Sequence, residues 1–138
     1  MGYASTEIVN APQKITQLKN IEKISAFGYL SGALTCGILF IWGNNQAKEP
    51  KQYEIPTSYP VSDKSGSIYD VKDFKIGNSC ILVINQNGEL MTMGSNKFGL
   101  LGRNAKITDE WDTTSYIISQ NVTHLACSFY NAAVVKGI

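Results

Sequence analysis

Gly88-Glu89-Leu90-Met91-Thr92-Met93-Gly94-Ser95-Asn96-Lys97-Phe98-Gly99-Leu100-Leu101-Gly102 is the stretch whose reading decides the fold. It opens on Asn87-Gly88, a dipeptide that favours a hairpin because both turn positions accept positive φ. A short apolar strand follows, then a glycine-punctuated loop. A shorter copy lies upstream in Gly37-Ile38-Leu39-Phe40-Ile41-Trp42-Gly43-Asn44-Asn45. Gly37 to Gly88 and Gly43 to Gly94 are both separated by 51 residues. The equality marks a repeat.

Outward from these glycines, apolar positions return in the same phase. Ile21, Val71 and Val122 are equivalent, as are Ile24, Phe74 and Leu125, then Ala26, Ile76 and Cys127, then Leu34, Ile84 and Val135. A period of roughly 50 residues points to propeller blades or another repeat array. The expected class is all-β, with antiparallel four-stranded blades. Strands are expected over Ile21–Ala26, Val71–Ile76, Ile81–Ile84, Leu90–Met93 and Val122–Cys127, with outer strands at Tyr53–Ile55 and Tyr116–Ile118. Pro12, with Lys14, Ile15 and Leu18 after it, suggests an edge strand, where a missing N–H does no harm.

The window Ile24–Gly43 competes with this reading. It carries no charged residue, and Gly28 to Gly32 fits the small-residue spacing of packed membrane helices. Its in-phase copy, Phe74 to Gly94, holds Lys75, Asn78, Asn85, Gln86, Asn87 and Glu89. Positions that accept those residues in one copy do not face lipid in the other. Buried strands are therefore expected there, with a span over residues 24–43 as the alternative.

The 138 residues are 43% hydrophobic, and 12 basic residues nearly balance 11 acidic ones. No Lys/Arg run offers a stripe for phosphates, so direct nucleic-acid binding is not implied. Cys36, Cys80 and Cys127 form neither CxxC nor a metal-ligand spacing, and their odd number, without a secretory leader, reads as reduced intracellular thiols. Cys127 takes a small buried position and reads as an inert core thiol. His124, the only histidine, lies in an inner-strand pattern with no Ser, Cys or Asp placed to pair with it. No catalytic, cofactor-binding or metal-binding residue is expected, and the chain does not read as an enzyme. Asp109-Glu110-Trp111-Asp112, an aromatic among three carboxylates on a loop, is the expected partner-binding site, since tryptophan is enriched where binding energy concentrates.

The residues Trp42-Gly43-Asn44-Asn45 and Gly94-Ser95-Asn96-Lys97-Phe98-Gly99-Leu100-Leu101-Gly102 resemble the regulator of chromosome condensation repeat, written Trp-Gly-x-Asn-x-x-Gly-Gln-Leu-Gly. Its signature falls here on Gly37, Trp42, Gly43, Asn45, Gly88, Gly94, Asn96, Gly99 and Gly102. Met93 stands for the tryptophan, Leu100 for the glutamine, and Phe27 and Ser128 where the family usually has glycine. WD40 and kelch blades lack support, for there is no Gly-His…Trp-Asp pairing and no Gly-Gly doublet. The resemblance implies a seven-bladed propeller, of which this chain corresponds to roughly 2.7 repeats. Residues 1–20 are expected as the outer strand of a preceding blade, 21–70 as the first blade, 71–121 as the second, and 122–138 as the start of a third.

The implied function is protein–protein interaction through blade-edge loops. The alternative is guanine-nucleotide exchange on a small GTPase, which needs no chemical catalyst. Either a protein partner, such as the remaining blades of a split propeller or a GTPase, or further copies of the chain are expected to cover its open faces.

Overall fold

The computed structural model describes residues 11–12, 14–43, 53–58, 61, 69–108 and 110–138. Among the described residues, ten strands form three antiparallel sheets. The first sheet holds β1 (Lys23–Phe27), β2 (Leu30–Thr35), β3 (Ile38–Gly43) and β4 (Tyr53–Ser58) in that order. The second repeats it with β5 (Val71–Gly77), β6 (Cys80–Asn85), β7 (Leu90–Gly94) and β8 (Asp112–Ser119). β9 (Val122–Cys127) and β10 (Ala132–Lys136) make a two-stranded third sheet. Residues 24–43 therefore form three strands, and the spanning-helix alternative is corrected. Among the described residues no helix is long and apolar enough to cross a membrane.

The sequence period is the structural period. The turn Cys36-Gly37 closes β2 onto β3, and the N–H of Val71 donates to the Gly37 carbonyl at 2.9 Å. One blade later, the N–H of Val122 donates to the Gly88 carbonyl, again at 2.9 Å. β5 and β9 are thus each fastened at their start to the hairpin of the blade before. Ser25 Oγ adds a second tie, accepting from the N–H of Ile76 at 3.0 Å.

Strand alternation sends side chains to both faces of each sheet, and both faces of the second sheet are covered. Leu30, Leu34, Leu39 and Ile41 of the first sheet pack against Phe74, Ile76, Ile81, Val83, Met91 and Met93 of the second. The opposite face of the second sheet, with Cys80, Leu82, Ile84 and Leu90, packs on Val122 and Leu125 of the third. Each such buried side chain contributes roughly 1.5–3 kcal/mol. β6 and β7 are accordingly buried along their whole length, which explains why they read as continuous apolar runs.

The same repeat position has a different fate in the first sheet. Phe74 is 1% exposed, whereas its equivalent Ile24 is 75% exposed, because no blade precedes it among the described residues. What lies there instead is an apolar cleft of about 550 Å³ lined by Ile15, Leu18, Ile21, Ile24 and Trp42. The edge strand expected from Pro12 to Leu18 is not formed in residues 11–12 and 14–22. That segment turns at Thr16-Gln17 and brings Ile15 and Leu18, spaced for a turn rather than for a strand, over the sheet.

Candidate functional site

The turns β1–β2, β5–β6 and β9–β10 all lie at one end of the stack, because Phe27 pairs with Leu30, Gly77 with Cys80 and Cys127 with Ala132. The loop after β7 reaches the same end, where Cys80 pairs with Gly94 and Gly94 with Asp112. Four aromatic side chains from three different blades meet there. The Phe129 ring lies 6.2 Å from Phe27, 6.2 Å from Phe98 and 4.4 Å from Tyr130, and Phe98 and Tyr130 stack edge-on at 4.9 Å. The Lys97 ammonium sits 5.7 Å from the Phe98 ring. Edge-to-face geometry makes the rings stabilise one another, by about 0.5–1.5 kcal/mol per pair beyond burial. Even so, Phe98, Phe129 and Tyr130 remain 41%, 45% and 60% exposed.

The loop carrying Phe98 is held from beneath by the asparagine of the repeat signature. Asn96 is buried, its Nδ2 donates to the carbonyls of Ala105 at 3.0 Å and Lys106 at 3.5 Å, and its Oδ1 accepts from the N–H of Leu101 at 3.2 Å. Thr92 Oγ1 donates to the Leu101 carbonyl at 2.7 Å, and Ser95 Oγ to the Thr108 carbonyl at 3.0 Å. Leu100 and Leu101 are pulled into the second core cluster, so Phe98 is the apolar residue left at the tip.

Of the expected partner-binding residues, Glu110, Trp111 and Asp112 lie at the entry to β8, each in a different environment. Asp109 lies outside the described residues. Trp111 is half-buried against the first core cluster. Asp112 accepts from Arg103 Nη2 at 2.9 Å, and the guanidinium also stacks 3.8 Å from the Tyr116 ring centroid. Burial opposes ionisation of Asp112, but the Arg103 charge and hydrogen bond, with the N–H of Thr114, outweigh it and hold the carboxyl below its ordinary range. Glu110 is exposed. With Asn96, Lys106 and Trp111, Glu110 and Asp112 line a cleft of about 320 Å³ next to the aromatic cluster's loop.

Of the signature residues, Gly37, Gly88, Gly94, Gly99 and Gly102 all adopt positive φ at their turns, and Trp42 is buried; Asn45 lies outside the described residues. His124 is exposed, with Nδ1 3.0 Å from Thr123 Oγ1. Cys36, Cys80 and Cys127 are free thiols. The sequence reading missed the aromatic cluster, whose members are up to 103 residues apart (Phe27 to Tyr130). The signal was present in part, since Phe27 occupies a usual glycine position and Phe129 follows another.

Comparison with known proteins agrees with this architecture. No family profile matches the chain. Over 103 residues, 67% of this chain and 10% of the relative, it is 31% identical to the probable E3 ubiquitin-protein ligase HERC6 of Homo sapiens. Among solved structures it superposes on human WBSCR16 with a TM-score of 0.65 and 19% identity, covering 86% of this chain and 32% of that one. Prp20p of Saccharomyces cerevisiae gives a TM-score of 0.67 and 15% identity, with 85% and 32% covered. Yeast RCC1 (Prp20) bound to Kap60 gives 0.61 and 17%, with 84% and 27% covered. The chain thus spans a tenth of that curated relative and about a third or less of these structures. Repeat phase, blade topology and these likenesses together identify it as a set of regulator of chromosome condensation-like β-propeller blades.

Proposed function

We propose that this chain is a protein-interaction module that engages a protein partner with the turns and loops at the β1–β2 end of its blades. The observation that carries the reading is the exposed aromatic cluster of Phe98, Phe129 and Tyr130, seated on Phe27 and drawn from three blades. Aromatic side chains concentrate binding energy because they bury a large area with few rotatable bonds. A cluster assembled across blades also presents one preformed surface, which lowers the ordering cost of association. Glu110 and the neighbouring cleft, which Trp111 and Asp112 also line, would form a polar rim.

Guanine-nucleotide exchange on a small GTPase is the second reading. It is favoured by the likeness to Prp20p, a protein described with binding properties to Gsp1p and histones. The ligase relative is matched over a tenth of its length, and its activity is not carried over.

The test is quantitative affinity capture from cell lysate with the wild-type chain, the triple variant Phe98→Ser/Phe129→Ser/Tyr130→Ser, and a Lys136→Ala control. Loss of the same specific partners with the triple variant alone is the expected result. Identical capture by all three would place binding elsewhere. Release of a fluorescent guanine nucleotide from captured GTPases, accelerated by the wild-type chain, would favour exchange over simple binding.

A further inference from the structure

We infer that Cys80 and Cys127 form a peroxide-oxidisable dithiol that cross-links the second blade to the third. The two sulfurs, 47 residues apart in the chain, lie 3.7 Å from one another across the blade interface. A disulfide needs about 2.05 Å, a closure within reach of a side-chain rotation. Cys127 is the last residue of β9 and half-buried, whereas Cys80 opens β6 and is inaccessible to solvent.

Two independent features fit a pair rather than a coincidence of two core thiols. At the preceding interface the equivalent repeat positions are Leu30 and Ile76, ordinary members of the first core cluster. At the second interface both positions become cysteine together. Gly77, in turn, leaves the space the sulfurs occupy, since a Cβ there would stand 2.2 Å from Cys127 Sγ and 3.0 Å from Cys80 Sγ. Its equivalent in the first blade is Phe27.

The chemistry divides by exposure. A hydrogen bond from Cys80, with a further one at Ser128, outweighs burial and lowers the Cys127 pKa, while that same contact and burial raise that of Cys80. Thiolate character and access make Cys127 the attacking sulfur. Its thiolate attacks one oxygen of hydrogen peroxide, the O–O bond breaks, and hydroxide leaves and takes up a proton, giving a sulfenic acid and water. Cys80 then attacks the Cys127 sulfur; the S–O bond breaks, and the Cys80 proton leaves with the hydroxide as a second water. Each sulfur loses one electron and the peroxide gains two. Cys36 is exposed, lies on the opposite hairpin end, and has no thiol opposite it among the described residues, so it serves as the internal control.

The experiment treats the purified full chain with hydrogen peroxide, unfolds it in denaturant to alkylate the remaining thiols, and maps peptides without reduction. The expected result is a loss of about two mass units and a linked peptide pair containing Cys80 and Cys127, reversed by dithiothreitol. Cys36→Ser should cross-link like wild type. Cys127→Ser should abolish the link and leave Cys80 alkylatable in the unfolded chain, and Cys80→Ala should leave a sulfenic acid at Cys127 that dimedone traps. Wild-type chain in which both thiols stay alkylatable, or in which Cys127 proceeds to sulfinic acid without any link, would overturn the assignment.

Discussion

At the residue scale, the chain separates what a loop motif needs from what a surface offers. Asn96 was legible because a buried side chain that both donates and accepts is the economical way to hold a glycine-broken loop. Asp112 was legible only as a carboxylate beside a tryptophan. The fold gives it to Arg103, with the arginine side chain mostly buried and stacked on Tyr116. Its lowered pKa sets a direction for acid behaviour. Above the ordinary carboxylate value of 3.8, Asp112 is ionised whether the chain is folded or not, and the pair contributes its full stability. As pH falls below that value the unfolded chain takes up the proton first, and the contribution fades through the lowered folded value. Asp112→Asn should therefore reduce the melting temperature at neutral pH by a modest amount, as suits a partly exposed pair. The difference from wild type should shrink as the pH falls below 3.8. A gap that stays constant across an acid series of thermal melts would show that the charge contributes nothing.

At the scale of the element, the glycine period reflects one recurrent close approach. Gly43 and Gly94 end the third strand of their blades with φ of +105° and +119°. A Cβ on Gly43 would lie 1.9 Å from the Tyr29 carbonyl oxygen, and one on Gly94 2.5 Å from that of Ser79, the equivalent residue. Neither carbonyl can retreat without unpairing its hairpin. Gly99 also has positive φ, +70°, but nothing stands within 4 Å of its missing Cβ. Gly94→Ala should thus cost more than about 3 kcal/mol, through clash and backbone strain together. Gly99→Ala should cost about 1–2 kcal/mol, the ordinary penalty for a left-handed conformation. Urea melts giving equal losses at the two sites would remove the close approach as the reason for the repeat. The strands themselves were legible because two-sided burial writes apolar residues at fixed phase, as in β6 and β7. The segment before β1 was misread: Pro12 is compatible with an edge strand, but nothing local says whether Ile15 and Leu18 pair in a ladder or merely lie across a sheet.

At the scale of the molecule, period reveals equivalence but not neighbourhood across blades. That is why the blades could be read from the sequence while the aromatic cluster and the Cys80–Cys127 pair could not. Phe27, Phe98 and Phe129 hold three unrelated repeat positions and meet only because three turns converge. The same logic governs the outermost surfaces. β10 has the repeat position of β2 and β6, which are paired on both edges, yet among the described residues β10 pairs only with β9 and is exposed throughout. On the far side, Ile24 and Ile38 present apolar surface on the first sheet, and Val134 and Val135 do so on the third. An unpaired edge beside exposed β-branched side chains is a template for further pairing. The isolated chain should therefore bind a hydrophobic dye and associate with rising concentration in sedimentation or mass photometry. Ile24→Lys with Val135→Lys should weaken both effects without loss of the β-sheet signal in circular dichroism, since neither side chain belongs to the two core clusters. A chain that stays monomeric at every concentration and leaves the dye dark would mean that these faces are covered from within.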